Sequence, residues 1–301
     1  VNTAFLDAQH VSSFLGDDGL ARMVRSAQSY NPKLVSVARV SDLRSGNFGR
    51  FLRATFPRLG IVVPYEELDT VDLLNALADL QCEPKDCVLF IDFVGAPLDV
   101  DGASSSVAAL FDLAAEAAQW GRIVFQASSF PSKNPASPGG TAAVARSEWK
   151  VFNEAIAECS VLPHLIGYGD YGADSGVIRF SKKGGGRAIR HIRYTSADEV
   201  IVFRSAETGK DTDLMQGVCH CIVSSPHYCG RGFSYADERI WRIAKGLDGP
   251  GNASNWREWN MAHHMTKVVR DLGSASGVEF VHRIDEDFES TPDLFSLPLG
   301  A

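Results

Sequence analysis

Short apolar runs recur along the chain, and stretches with helical periodicity separate them. The runs are Ala4–Leu6, Leu34–Val40, Gly60–Val63, Val88–Phe93, Ile123–Gln126, His164–Tyr168, Ile189–Thr195 and Val200–Phe203. Several are β-branched and apolar at consecutive positions. Such a run is buried on both faces, which is the environment of a strand in a parallel sheet. Helical spacing marks Asp18–Ser26, Phe48–Phe56, Val71–Leu80, Ser106–Trp120 and Val144–Cys159. In Ser106–Trp120, the side chains of Leu110, Leu113 and Ala117 fall on one stripe.

Strand and helix alternating at roughly 30-residue spacing predict repeated βαβ units. This many repeats favour an α/β fold of the (β/α)-barrel type, a TIM-barrel relative. A doubly wound open sheet is the alternative. Past about residue 186 the pattern changes. Arg190–Thr195 and Val200–Arg204 lie close together and read as a hairpin, and helices follow near Asp213–Val223, Asp237–Lys245 and Asn255–Leu272. The reading is a single barrel-like domain over residues 1–284, irregular and helix-rich in its late part, then an acidic tail at Asp285–Ala301. Two breaker-rich segments, Phe130–Gly140 and Lys182–Gly186, read as surface loops first and as lids or binding loops second.

Composition narrows the class. The chain has 301 residues with 45% apolar and 22% charged, which is ordinary for a globular protein. No apolar run reaches the roughly 20 residues that cross a bilayer, so no membrane partner is expected. The opening residues lack the order of a signal peptide. Six sparse cysteines without a C-x-x-C pair read as a reduced, cytoplasmic protein. The net charge of −8 argues against a sequence-blind nucleic-acid binder but leaves room for one local basic groove.

Ligands of parallel α/β folds bind beyond the carboxyl ends of the strands. The polar residues there are Arg39, Asp92, Gln126, Ser128, Ser129, Asp170, Tyr171, Arg193, Tyr194 and Arg204. Arginine forks suit phosphate or carboxylate, and the competing reading is a structural network of ion pairs. Gly167–Gly172 matches G-x-G-x-x-G, but Asp170 would repel a pyrophosphate and no helix is predicted at Gly172. Arg146 and Glu148 open a helix beside Trp149. Ser254 or Asn252 can cap another, the one that carries Trp256, with Arg257 on its first turn, and this reads as an anion site or as only a well-capped helix. His263 and His264 are adjacent on that helix and point about 100° apart, so both cannot easily bind one metal, and a core or structural role competes with a site role for each. Cys219-His220-Cys221 lacks the spacing of a structural zinc site. Lys182, Lys183, Arg187, Arg190 and Arg193 form the most basic stretch, read as a solvated loop before a phosphate-binding edge. No cofactor or metal signature is evident.

The ordered set Phe130-Pro131, Arg146 with Glu148-Trp149, Gly169-Asp170-Tyr171, Ile192-Arg193-Tyr194-Thr195, Gly232-x-Ser234, Gly251-Asn252 with Trp256-Arg257, and His263-His264 resembles the phage Beta protein family. The likeness spans roughly residues 30–272. It implies a mobile-element or antiphage-defence role, often beside a toxin or nuclease encoded nearby. It also implies an additional first strand bearing Lys and Glu ahead of this chain.

The expectation is a protein that binds a phosphorylated ligand, nucleotide or nucleic-acid end. Arg146, Tyr171, Arg193, Tyr194, Asn252, Trp256, Arg257 and His263 are the expected binding residues. If there is chemistry, it is hydrolysis of a phosphate-containing substrate, with Asp170, Glu148 or Asp92 as acid or base and His264 as proton shuttle. The alternative is a non-enzymatic sensor or regulatory subunit of a neighbouring toxin or nuclease.

Overall fold

The computed structural model describes residues 4–44, 46–55, 58–177 and 189–280. In chain order the elements are β1 (Ala4–Asp7), α1 (Gln9–Tyr30), β2 (Leu34–Arg39), α2 (Val40–Leu43), α3 (Gly46–Thr55), β3 (Gly60–Pro64), α4 (Thr70–Asp79), β4 (Val88–Asp92) and α5 (Ala103–Ala117). There follow β5 (Arg122–Ala127), β6 (Thr141–Ala145), α6 (Ser147–Glu158), β7 (Ile166–Asp170), β8 (His191–Thr195), β9 (Glu199–Arg204), α7 (Asp211–Val223), α8 (Tyr235–Ala244) and α9 (Ala253–Ala275). The chain divides into two compact units, Val1–Phe130 with Arg146–Phe180, and Pro131–Ala145 with Ser181–Ala301.

The first unit is a curled six-stranded parallel sheet in the order β1-β2-β3-β4-β5-β7. Strand order follows chain order without the reversal that defines a doubly wound sheet. It supplies six of the eight strands that close a (β/α) barrel. A closed barrel is therefore not formed by the described strands. Register fixes the faces. Leu89, Ile123 and Ile61 align across the sheet, as do Ile91, Phe125 and Val63. Phe125 packs on Phe152 of α6 at 5.7 Å between ring centroids, so this row is the helix-covered face. Phe90, Asp92, Val124, Gln126, Gly167 and Gly169 point to the other face. Stacked rings carry the core towards the strand ends, with Tyr65 on Phe93 at 5.5 Å and Phe93 on Phe125 at 4.9 Å. Each such pair contributes about 0.5–1.5 kcal/mol beyond its buried area.

The second unit holds a three-stranded antiparallel sheet, β6-β9-β8, packed with α7, α8 and α9. The hairpin read from the sequence is β8 and β9. Its core joins Ile192, Tyr194 and Phe203 to Met215, Ile240 and Trp259. β8 is an edge strand, whose outward backbone groups would invite a foreign strand. Side chains of α9 close that edge. Asn260 Oδ1 accepts the Arg193 N–H at 3.0 Å, and His263 Nε2 meets the Thr195 carbonyl at 2.9 Å.

Two helix expectations change. The helix expected over Val144–Cys159 is Ser147–Glu158, because Val144 and Ala145 pair with Val200 and Glu199 in β6. The helix expected at Asp18–Ser26 extends over Gln9–Tyr30 with a break at Gly16, whose φ of 59° suits a residue without Cβ. The Phe130–Gly140 loop is pinned rather than loose. The Gly139 N–H donates to the Ser205 carbonyl at 3.0 Å, and Arg204 Nη1 donates to the Ala136 carbonyl at 2.9 Å. Lys182, Lys183, Arg187, the Lys182–Gly186 loop and the tail lie outside the described residues.

Candidate functional site

The parallel sheet of the first unit gathers polar side chains at its carboxyl ends. Asp92 ends β4, aligned with Gln126 of β5, which aligns with Gly169 of β7. Tyr171 follows β7, and its hydroxyl donates to Asp92 Oδ2 at 3.1 Å. The Val94 N–H donates to Oδ1 of the same carboxylate at 3.1 Å. Burial pushes the Asp92 carboxyl above its ordinary range, although the Val94 and Tyr171 hydrogen bonds and the charge of Arg39 oppose the shift. Asp7, at the end of β1, adds a second negative charge that pushes the same way. Tyr171 is raised as well, by burial first and then by Asp92. A carboxylic acid, a phenol, a guanidinium and an amide thus meet at one rim, two of them in hydrogen-bond contact.

A second group lies on the helix-covered side of the same strand ends. Asp170 ends β7, and the Gly172 N–H donates to its Oδ1 at 2.9 Å. Tyr168, two residues earlier and on the same face, is pushed up by burial and by Asp170 and Glu148, while Arg146 pulls the other way. Arg146 precedes α6 and is 2% exposed, its guanidinium 5.2 Å from the Trp149 ring centroid. Glu148, in the first turn of α6, is 6% exposed, and its N–H donates to Ser129 Oγ at 3.0 Å. Glu148 Oε2 is buried without a hydrogen-bond partner. No helix starts at Gly172. The first turn of a dinucleotide fold is not built there.

Other residues singled out from the sequence belong to the second unit. There Tyr194, Asp237 and His263 form a buried node. The Tyr194 hydroxyl donates to Asp237 Oδ1 at 2.5 Å and accepts the Cys229 N–H at 2.9 Å. His263 Nδ1 lies 2.9 Å from Asp237 Oδ2. The two ring nitrogens of His263 thus face oxygen atoms on opposite sides, Asp237 Oδ2 and the Thr195 carbonyl. The ring also stacks on Tyr194 at 3.8 Å. Asp237 and His263 are 0% and 1% exposed. His264, also buried, bonds through Nδ1 to Thr195 Oγ1 at 2.9 Å. Trp256 is buried, and its indole N–H donates to the Pro250 carbonyl at 2.8 Å. Asn252 caps α9, its Oδ1 accepting the N–H groups of Ser254 and Asn255. Those amides serve the cap, while Arg257 is exposed on the same first turn. Cys219 is buried in the core and Cys221 is exposed, so these near neighbours on α7 point apart.

The twelve residues expected to act together thus fall into the two units. Asp92, Arg146, Glu148, Asp170 and Tyr171 are in the first, and Arg193, Tyr194, Asn252, Trp256, Arg257, His263 and His264 in the second. Two residues went unread. Asp7 directly follows the apolar run Ala4–Leu6, so the strand-end rule was enough to find it. Asp237 carried only the spacing Ser234-x-x-Asp237, a helix-start pattern that says nothing of a buried hub.

No helix among the described residues is long and apolar enough to cross a membrane. A family model described as Beta protein matches residues 30–270. No curated protein and no solved structure matches the chain.

Proposed function

We propose, for a chain that belongs to the Beta protein family, a role in conflict between phage and bacterium through recognition of a phosphorylated ligand, a nucleotide or nucleic-acid end. The reading places binding at the carboxyl ends of a barrel-like parallel sheet. The observation that carries it is the Asp92–Tyr171 contact at 3.1 Å, with Arg39 and Asp7 beside it. A guanidinium there suits a phosphate. The carboxylates suit the donor groups of a base or sugar. A carboxyl raised by burial is closer to the range in which general acid–base catalysis works. Hydrolysis of a phosphate-containing substrate, with Asp92 as acid or base, is the chemistry this set supports best. Six free cysteines fit a reducing, cytoplasmic setting.

The test is calorimetric titration with adenosine monophosphate, adenosine, and an oligonucleotide with and without a 5′-phosphate. The reading expects phosphate-dependent binding that weakens at least tenfold in Arg39→Ala. Equal affinity with and without phosphate, or no binding at millimolar ligand, overturns it. A regulatory subunit of a nearby toxin or nuclease is the second reading. It is favoured by the second unit, where Tyr194, His263 and His264 are spent on internal bonds. Native mass spectrometry separates the two, since a retained protein neighbour without small ligand supports the second.

A further inference from the structure

Cys82 and Cys87 face one another with their sulfurs 3.5 Å apart, at the amino-terminal end of β4. Both backbones are held. α4 ends with Gln81 in the left-handed conformation, φ 54°. The Cys82 N–H then donates to the Leu77 carbonyl at 3.0 Å, and the Gln81 N–H to Ala78 at 2.9 Å. This double bond pattern closes a helix end and fixes the residue after it. Arg53 Nη2 donates to Gln81 Oε1 at 2.7 Å and holds the unusual turn. On the other side, the Cys87 N–H donates to the Pro84 carbonyl at 2.9 Å. Cys87 is 0% exposed, whereas Cys82 is half-buried and lines a cleft of about 350 Å³ with Arg53, Gln81, Glu83 and Asp86. One thiol is reachable and the other waits behind it.

We propose that Cys82 and Cys87 form a dithiol site that reacts with low-molecular-weight disulfides of the glutathione class. The Cys82 thiolate attacks one sulfur of the external disulfide. That S–S bond breaks, and one small thiol leaves with the electron pair and takes up the proton Cys82 gave up. Cys87 then loses its proton and attacks the Cys82 sulfur of the mixed disulfide. The second small thiol leaves, and a Cys82–Cys87 bond of about 2 Å remains. Two protein thiols are oxidised and one external disulfide is reduced to two thiols. The electrostatics agree with this division of roles. The hydrogen bond from Cys87 draws the Cys82 thiol below its ordinary range. The same contact and burial push Cys87 up, so it keeps its proton until the second step.

The test is exposure of the whole chain to oxidised glutathione, followed by trypsin without reductant and mass spectrometry. Cleavage after Arg58, Lys85 and Arg122 places Cys82 and Cys87 on separate peptides, residues 59–85 and 86–122. The expected product is these two peptides linked by a disulfide and free of glutathione. Cys221 and Cys229 are exposed and far apart in sequence from this pair, and they report that the reagent reached the protein. Cys87→Ser removes the resolving thiol and is expected to retain one glutathione on Cys82. Recovery of both peptides as free thiols while Cys221 and Cys229 are modified overturns the proposal. So does wild-type protein that keeps glutathione on Cys82.

Discussion

The Tyr171 hydroxyl and the Asp92 carboxylate, 79 positions apart in the chain, are hydrogen-bonded at 3.1 Å where two parallel strands end. Tyr171→Phe leaves Asp92 with one fewer donor while keeping the ring. A hydrogen bond to a charged group contributes about 1.5–3 kcal/mol. The variant is expected to stay folded with about 1.5–3 kcal/mol less stability, and to lose about tenfold or more in affinity for the phosphate-bearing probe. A loss of folding in place of binding would assign Tyr171 to the scaffold.

Asp92 also makes a prediction about pH. Burial raises its folded carboxyl above the ordinary aspartate value of 3.8. Between those two values the native state holds more protons than the unfolded state, so stability falls as pH rises. The contribution is fully present below 3.8 and is lost as pH passes the folded value. Asp92→Asn keeps the shape and cannot ionise. Its stability relative to the wild type is expected to improve steadily with pH across that window. Urea melts at a series of pH values check this, and a difference that does not vary with pH contradicts it.

In the second unit, His263→Ala removes a partner of the Asp237 carboxylate and of the Thr195 carbonyl in the core. Each buried polar group left unsatisfied costs about 1–3 kcal/mol, or about 2–6 kcal/mol for the two. The α8–α9 region is expected to melt earlier, read by hydrogen exchange. Tyr194→Phe removes one donor to the same carboxylate and should cost less, about 1–3 kcal/mol. Equal costs for both variants would mean that the Thr195 carbonyl finds another donor.

Asn260→Ala tests how α9 seals the sheet. Without Oδ1, the Arg193 N–H at the β8 edge loses its acceptor. A buried donor left unmade costs about 1–3 kcal/mol. The expected result is a fall in urea midpoint with faster exchange of the Arg193 amide. An unchanged midpoint would show that another group takes over.

The amino-acid sequence alone determined the alternation of strand and helix, because apolar runs and helical stripes are local patterns that each element needs for its own burial. It also located Asp92, Gln126, Asp170 and Tyr171, since polar residues that end buried strands must emerge at one rim of a parallel sheet. The short hairpin linker Ser196–Glu199 was legible for the same local reason. Only tertiary structure decided what the remaining residues do. Thr141–Ala145 became a strand because β9 was there to pair with it. His263 and Tyr194 read as candidate binding groups and His264 as a candidate proton shuttle, with a core role the competing reading for both histidines; each bonds inside the second unit to residues far away in sequence, and Asp237 carried only a helix-start pattern. Cys82 and Cys87 lacked the expected C-x-x-C spacing, and a left-handed turn at Gln81 brought their sulfurs together. Hydrogen-bond satisfaction in a buried core is a property of three-dimensional neighbours, so no one-dimensional pattern encodes which polar group finds which partner.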